Sequence, residues 1–574
     1  MKCFSMKKWN GYFVVLFILS MVNLFYMHYQ LFNTIGFEFY YAKTTCLDNF
    51  MAVLLDVTLV FLLFLLITWG RIKVCLASTF FVTLFMSFAN VLYSRFFGQY
   101  LTYSALGQVG NLNDNVVVLS ILSEFRMHDV CYLLILLFFL FVMWKWRKVE
   151  IKKSSLGFVG LLWGVTLLLI VASHSVYWYK DSFGRAIQSV FPPRAFNSAY
   201  PNWIAFHKGL MRTIVFDNLL SSGNKLKLTA EQENEIAIEY RNHANRMSDH
   251  IVNKDIQNVI FIIVESYMAV TSDLKVDGME ITPYLNSLKR DSNVYYNGHV
   301  QPNAKNGKSS DGQLIYMTGL LPLRSEITVS KAKEDALIGL PKQLLDHGIL
   351  KHTQILIPTA PSFWEQQPMN QIYGFEKMYS KYDYDKNVNG DDLVDEQMFD
   401  FAIQLDKQLP AYSFSMLLTL SMHEPFDECV EYGFHLKDES LPMRYKNYLT
   451  TCHYFDQQIG KYIGHLKKDG LYDKSLIIIA ADHDAHPKFL DMEGKVSREL
   501  PLFIINGNID NSKAWTGSCN QLDVYTTILD ILGIDSEWRG LGHTLMTNDY
   551  KNSVTDKTWE LSEWIIMGDY FRKN

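Results

Sequence analysis

Five apolar runs lie in the first 180 residues: Gly11 to Tyr29, Phe50 to Trp69, Val74 to Tyr93, Val130 to Trp146 and Leu156 to Tyr177. Each approaches or reaches the roughly 20 residues that carry a helix across a bilayer. One such run alone would also suit a buried helix of a large core, and the first has the basic start of a signal peptide in Lys2, Lys7 and Lys8. No small-residue cleavage site follows it, and five together predict membrane helices. The basic residues predict the orientation. Lys2, Lys7 and Lys8, then Arg71 and Lys73, then Lys145, Arg147, Lys148, Lys152 and Lys153 fall on one side if every run spans, which makes that side cytoplasmic. The opposite side carries Lys43, and Arg95 and Arg126 in a loop read as Ser94 to Asp129. An odd number of spans then exports everything after Tyr177.

From Asn258 the pattern changes. NVIFIIVE, TQILIPT, YSFSMLLTL, SLIIIAAD and LPLFIING are short continuous apolar runs, the signature of strands buried on both faces of a mostly parallel sheet. Between them ITPYLNSLKRD, LPKQLLDHG and YFDQQIGKYIGHLKKDG read as amphipathic helices. Strands alternating with helices predict an α/β sandwich, with ligands collecting beyond the carboxyl ends of the strands. The expected organisation is a transmembrane domain of five helices over 1–179, a linker with helical segments over 180–255, a catalytic domain over 256–547 and a C-terminal tail over 548–574.

Composition sharpens this in three ways. At 574 residues, 49% of them hydrophobic, the chain is too long for one core and too apolar for a wholly soluble protein. A net charge of −6 offers no basic stripe, so nucleic acid is not an expected partner. The seven cysteines form no C-x-x-C pair, and spacing does not decide whether two of Cys429, Cys452 and Cys519 form a disulfide.

The candidate chemistry sits at the strand ends. Glu265 closes the first strand, His423 follows the SFSMLLTLSM run, and Asp482, His483 and Asp484 close SLIIIA. Any one of these suits a loop, but together they offer oxygen and imidazole ligands to a divalent cation. The segment KNGKSSDGQL, Lys305 to Leu314, is a helix start with Ser310 or Asp311 as its cap, and it lacks the spacing of a Walker A loop. Read functionally, a serine at a helix N-terminus suits a nucleophile, because the terminus favours anionic charge and a metal can deprotonate the hydroxyl.

Taken together these residues resemble the lipoteichoic acid synthase and phosphoglycerol transferase branch of the alkaline phosphatase and sulfatase superfamily. The resemblance covers nearly the whole chain. NVIFIIVES is similar to the family's first strand and implies a metal ligand at Glu265. GKSSD is similar to the nucleophile segment and implies that role, with metal contact, for Ser309, where threonine is usual. ADHD implies metal ligands at Asp482 and His483, and TLSMHEPF implies a phosphate-facing catalytic histidine at His423. TPYLNSL, YFDQQIGKYIGHLKKDGLYD and QLDVYTTILDILGI match without direct chemistry. SFWEQQ keeps Trp364 as a substrate contact, but Gln366 stands where an arginine is expected. Glutamine cannot reproduce a bidentate guanidinium, which puts glycerol phosphate as the head group in question.

The resemblance implies an N-terminal five-helix bundle and a C-terminal sulfatase-like α/β domain with a mostly parallel central sheet. It implies one divalent cation, often manganese, with zinc or magnesium as alternatives. The implied activity moves a phosphoglycerol-type head group from a membrane phospholipid, through a covalent phospho-serine, to a hydroxyl of a glycolipid or glycan acceptor. A phosphoethanolamine transferase, a sulfatase-like hydrolase and a non-catalytic membrane protein with a decayed domain are the competing readings. The implied location is the bacterial inner membrane, crossed several times, with the catalytic domain periplasmic or extracellular. Reporter fusions after Lys148 should behave as cytoplasmic and fusions after Arg194 as exported, whereas the reverse pattern would mean a helix count wrong by an odd number.

Overall fold

A computed structural model describes residues 2–32, 46–97, 124–148, 225–241, 247–384 apart from 325 and 362, 395–424 and 434–573. It also describes the isolated positions 100–101, 164, 205–206, 209–212, 214 and 426. The chain separates into two compact units, one within Met1–Gly107 and Ser120–Asn224, the other within Lys225–Asn574.

In the first unit, helices α1 (Lys2–Phe32), α2 (Cys46–Ile67), α3 (Ile72–Phe97) and α4 (Val130–Trp146) follow four of the five apolar runs. Gly11–Leu31, Ile72–Arg95 and Met127–Trp146 are long and apolar enough to cross a membrane, while the apolar part of α2, Ala52–Ile67, is shorter. The fifth run, Leu156 to Tyr177, lies outside the described residues, so five spans remain an expectation. Phe80 of α3 stacks on Phe139 of α4 with ring centroids 3.8 Å apart, inside a core that takes Leu16 from α1 and Leu62 from α2. Leu133, Leu134, Leu137 and Phe138 of α4 stay exposed, as befits a helix with a lipid-facing side.

Arg95 departs from the expected loop. It ends α3, buried, and grips Asp129 with two bonds of 2.7 and 2.8 Å. A guanidinium so paired, and donating also to the Glu124 carbonyl at 2.7 Å, lets the helix continue past Ser94. Asp56, in the middle of α2, likewise receives Arg212 Nε at 3.0 Å and the Met211 N–H at 2.9 Å.

The second unit is built on an eight-stranded sheet in the order β10-β4-β9-β8-β1-β7-β5-β6. The strands are β1 (Asn258–Val264), β4 (Val294–Gln301), β5 (His352–Leu356), β6 (Lys377–Tyr379), β7 (Ser413–Leu418), β8 (Ser475–Ala481), β9 (Leu500–Ile505) and β10 (Cys519–Asn520); β2 (Lys275–Val276) and β3 (Met279–Glu280) form a separate ribbon. All pairings in the large sheet are parallel except those of β9, which runs antiparallel to β4 and β8. Every residue of β1, β7, β8 and β9 is buried, which is why these strands read as unbroken apolar runs.

Register positions the site. β1 and β8 are neighbours with Val264 opposite Ala481, so the next residues, Glu265 and Asp482, leave the sheet side by side. β7 flanks β1 on the other side, and the Thr419 N–H donates to the Ile263 carbonyl at 3.0 Å. Two of the sequence matches bond to each other, because Asp456 of YFDQQ accepts the Tyr284 and Leu285 N–H groups of TPYLNSL at 2.9 and 2.8 Å.

The ends of the unit carry structure of their own. Residues 548–574, set apart as a tail, contain a helix at Asp556–Gly568 that buries Leu561, Ile565 and Ile566 and whose Ser562 donates to the Leu321 carbonyl at 2.6 Å. From the expected linker, Leu226 donates to the Met567 carbonyl at 2.7 Å and Ser248 to Asp530 at 2.5 Å, so the part from Lys225 onward is fastened to the catalytic unit, while Met211 and Arg212 bond within the first unit. Cys452 and Cys519 are free and buried, which excludes each disulfide considered among the last three cysteines.

The helix Asp395–Asp406 packs on Met443–Lys468, where Asp406 accepts the Tyr462 hydroxyl at 2.8 Å. Burial pushes the Asp406 carboxyl up to about 7, against the partial relief of that bond. The folded state therefore holds a proton there that the unfolded chain sheds near its ordinary value of 3.8. Folded protein binds more protons through that window, so this group's contribution is complete below it and is lost as pH rises through about 7. Asp406→Asn should remove the decline and raise the thermal midpoint at pH 8 by an amount equivalent to about 2–4 kcal/mol, each pKa unit being worth about 1.4. An unchanged pH profile of unfolding would show that Asp406 is ionised in the fold.

Candidate active site

Glu265, Asp482 and His483 bring one ligand atom each within 4.8 Å of one another, all buried. Glu265 is held by the Ser266 hydroxyl, which donates to Oε1 at 2.7 Å, while its own N–H donates to Thr419 Oγ1 at 3.0 Å. Asp482 Oδ1 accepts the N–H groups of Ser266 (2.9 Å) and His483 (2.7 Å). His483 Nδ1 lies 2.9 Å from the Asp484 carbonyl, an acceptor only, so Nδ1 carries the proton. Nε2 is then turned toward Glu265 Oε1 and Ser309 Oγ, each at 3.3 Å. A bond fixing the distal nitrogen is the arrangement that prepares a histidine for a metal.

The charges fit the same reading. Burial opposes ionisation of Glu265, but the adjacent His483 and more distant His423 outweigh it and hold the carboxyl well below the usual range. Burial and the like charge of Glu265 push Asp482 up to about 7. Burial also opposes charge on His483, yet Asp482 and Glu265 overcome it and push the imidazole up to about 10. Two buried carboxylates thus draw a proton onto the imidazole to offset their charge, a place a divalent cation would take with release of that proton.

Ser309 Oγ donates to Glu265 Oε2 at 2.9 Å, as the first residue of the helix Ser309–Thr318. The loop before it is shaped from within. Asp311 Oδ2 accepts the N–H groups of Lys305 and Gly307, both at 2.9 Å, and Ser310 Oγ donates to the Gly307 carbonyl at 2.7 Å. Neither side chain acts as the expected N-cap, a position that falls to Lys308 at φ +47°. The chain turns back so sharply at Gly307 and Lys308 that first-turn side chains bond to the loop behind them. The Lys308 amine meets His486 Nε2, and Asp484, the last of the Asp-His-Asp triplet, is taken by Arg498 in two bonds of 2.9 Å.

Two contacts that the sequence did not mark as functional set the height of this helix. A Cβ on Gly312 would lie 2.4 Å from the Asp482 carbonyl oxygen, so only glycine lets the helix rest on the end of β8. Gln521, in a segment matched without assigned chemistry, donates to the Asp482 carbonyl at 2.7 Å and accepts the Asn303 N–H at 2.6 Å. Long-range bonds of this kind leave no periodic signal in sequence.

His423 lines the same cavity as Glu265, Ser309 and Asp482, with Nδ1 2.7 Å from the Glu424 carbonyl and Nε2 therefore free of a proton when neutral. Trp364 also lines it, with Phe363, Thr359, Leu418 and Leu420. Trp364 and Glu365 both have left-handed backbone, at φ +48° and +54°. Gln366 also borders the cavity, but its amide is engaged behind the wall.

Comparison with known proteins decides the family. Residues 257–534 match the Sulfatase family and residues 1–183 the lipoteichoic acid synthase N-terminal domain. The chain is a lipoteichoic acid synthase-like member of the alkaline phosphatase and sulfatase superfamily. It is 25% identical over 507 residues to lipoteichoic acid synthase 2 of Bacillus subtilis, covering 83% of this chain and 74% of that one. It is 26% identical over 485 residues to lipoteichoic acid synthase of Staphylococcus aureus, covering 80% and 72%. The fold is shared with the integral membrane lipooligosaccharide phosphoethanolamine transferase A of Neisseria meningitidis, at TM-score 0.52 and 14% identity over 94% of this chain and 99% of that one. The protein is thus a membrane phosphotransferase of this superfamily.

The packing of this phosphotransferase predicts a sharp contrast between two glycines. Gly312→Ala should force the nucleophile helix off β8 and lower turnover about 100-fold, since a displacement near 1 Å at reacting groups costs that much. Gly464→Ala, in a helix where an added Cβ meets nothing within 4 Å, should leave turnover unchanged and gain up to about 1 kcal/mol of stability. Equal turnover in the two variants would mean that the close approach does not set the site.

Proposed function

We propose that this protein moves the phosphoryl head group of a membrane phospholipid onto a hydroxyl of a glycolipid or glycan, through a covalent phospho-serine at Ser309. The observation that carries the reading is the Ser309 hydroxyl, 2.9 Å from Glu265 at a buried carboxylate and imidazole cluster, in a chain whose other unit is built of membrane helices. Membrane helices keep a lipid donor close, which a soluble hydrolase would not need.

In the first step Ser309 Oγ bonds to phosphorus while the bond from phosphorus to the diacylglycerol oxygen breaks. The serine gives up its proton and the departing oxygen gains one. In the second step the acceptor oxygen bonds to phosphorus, the bond to Ser309 breaks, and the proton lost by the acceptor returns to the serine. His423 is suited to moving these protons, because the residue lines the cavity and its Nδ1 is committed to the Glu424 carbonyl, which leaves Nε2 for the exchange. Glu265, Asp482 and His483 would hold one divalent cation, manganese by family resemblance with zinc or magnesium as alternatives, and it would supply Lewis acidity at the transferred phosphoryl group. The basic residues of the first unit support a catalytic domain outside the cytoplasm. Phosphoglycerol is the head group that the family resemblance implies, and phosphoethanolamine the one in the name of the Neisseria meningitidis neighbour.

Ser309→Ala should abolish transfer with the fold intact, and Ser309→Thr should keep part of it. Ser310→Ala loses one bond to the loop, worth about 1 kcal/mol, and should stay active. Fragmentation of the peptide trapped with a phospholipid analogue should place the adduct on Ser309. An adduct on Ser310, or full activity in Ser309→Ala, contradicts the mechanism.

A further inference from the structure

A second cleft opens at the same end of the sheet, past the strands that carry Glu265 and Asp482. It has a volume of about 380 Å³, and Ser272, Tyr296, Gly298, His299, Ser497 and Glu499 are among its lining. β9 runs antiparallel to β8, so it begins where β8 ends, and Glu499 directly precedes it. The neighbouring Arg498 is the residue that grips Asp484. From β8 across β9 to β4 is two strand spacings, roughly 10 Å.

The chain shapes this cleft by a defect in β4. Three steps along β4, from Asn297 to Val300, match two along β9, from Leu502 to Leu500, so β4 carries one extra residue. A bulge re-aims side chains, and the residues within this one, Gly298 and His299, both line the cleft. Asn297 secures it, for Oδ1 accepts the His299 N–H at 2.8 Å and Nδ2 donates to the Gly517 carbonyl at 3.0 Å. A Cβ on Gly298 would lie 2.6 Å from the Tyr296 hydroxyl oxygen, so the missing side chain leaves room for that hydroxyl.

The polar groups suit a neutral ligand. His299 Nδ1 lies 3.2 Å from Glu499 Oε1, an acceptor, so Nδ1 carries the proton and Nε2 of this exposed ring is left for a ligand. Gln301 Nε2 donates to the same oxygen at 3.3 Å, and Ser497 Oγ to Oε2 at 3.0 Å. Ser272 Oγ and the Tyr296 hydroxyl share one hydrogen bond of 2.7 Å, which leaves one of their two protons to donate elsewhere. Among the described residues that line the cleft none is lysine or arginine, so an anion finds no charged partner. Glu499 is the single carboxylate of that lining and already accepts three bonds, too little to hold a metal ion. An apolar group would leave the hydroxyls and the carboxylate desolvated without partners. A polyol ring satisfies them, because each of its hydroxyls both gives and accepts.

Resting on the transfer reading, we propose that this cleft binds a sugar ring of the acceptor, while another hydroxyl of the same acceptor reaches the phospho-serine. His299 and Glu499 bind the ring and take no part in the covalent steps.

The test uses the full-length protein in lipid nanodiscs of mixed phosphatidylglycerol and phosphatidylethanolamine, with a diglucosyl diacylglycerol added at graded density as acceptor. Mass spectrometry follows two quantities separately, the adduct on Ser309 formed without acceptor and the phosphorylated glycolipid formed with it. His299→Ala should raise the acceptor density needed for half-maximal transfer about tenfold, as expected for a lost hydrogen bond. Gly298→Val, which fills the cleft where the backbone is not left-handed, should do the same. Adduct formation and kcat at saturating acceptor should stay as in the wild type, which also shows the fold to be intact. His299→Gln, which keeps a donor for Glu499 and an acceptor for the ligand, should recover most of the loss. An unchanged half-saturation in both His299→Ala and Gly298→Val, or a loss of adduct formation in them, overturns the role of the cleft while leaving the transfer reading in place. A wild-type adduct that the glycolipid does not discharge overturns the sugar acceptor and keeps the covalent step. No adduct on Ser309 in the wild type overturns the transfer reading itself, and the cleft's role with it.

Discussion

The arrangement depends on one close approach, that of the Ser309 helix to the carboxyl end of β8 at Gly312. Everything that could carry chemistry is referred to that contact. The parallel register of β1 and β8 puts Glu265 beside Asp482, but register alone leaves the nucleophile free to sit anywhere above the sheet. The missing side chain at Gly312 lowers the helix onto the Asp482 backbone and brings the Ser309 hydroxyl within hydrogen-bond reach of Glu265. Close packing has discrete solutions, so a helix at this height cannot drift by a fraction of an ångström without cost.

Around that contact the polar groups are assigned with little left over. Ser266 and Thr419 hold the Glu265 segment, Gln521 holds the Asp482 carbonyl, and Arg498 occupies Asp484. His483 and His423 both have Nδ1 committed to a backbone carbonyl, that of Asp484 and that of Glu424. The result is a site whose charge is built for a cation, with His483 Nε2 turned toward Glu265 and Ser309. Rigidity of this kind is what distinguishes a site prepared for phosphoryl transfer from a chance gathering of strand-end residues.

Much of this was legible in the sequence, for definite reasons. Strands buried on both faces show as unbroken apolar runs, so β1, β7, β8 and β9 are readable, as is β5 from its apolar carboxyl end, and the strand ends point to candidate residues. The short strands β6 and β10 carry too few residues for a pattern, and β4 is interrupted by a register shift between Asn297 and Val300. The N-cap expected at Ser310 or Asp311 did not form because both side chains bond back into the loop. Arg95 reads as part of a loop because a charge ends an apolar run by default, while its partner Asp129 lies 34 positions away. The bond from Gln366 Nε2 to Gln313 Oε1 is equally hidden, since the two residues are 53 positions apart and neither residue type announces a partner. Gln366 stands out in the sequence only as a departure from resemblance; that its amide bonds to Gln313 and Asn370 is a fact of packing.

The central claim is that the cluster under Ser309 is a metal centre, and elemental analysis of the purified full-length protein tests it most directly. The account predicts one equivalent of a divalent metal in the wild type and its loss in Glu265→Gln and His483→Ala, each shown to be folded by a circular dichroism spectrum matching that of the metal-free wild type. A wild type that stays active without metal after exhaustive chelation, or variants that retain a full equivalent, would contradict it.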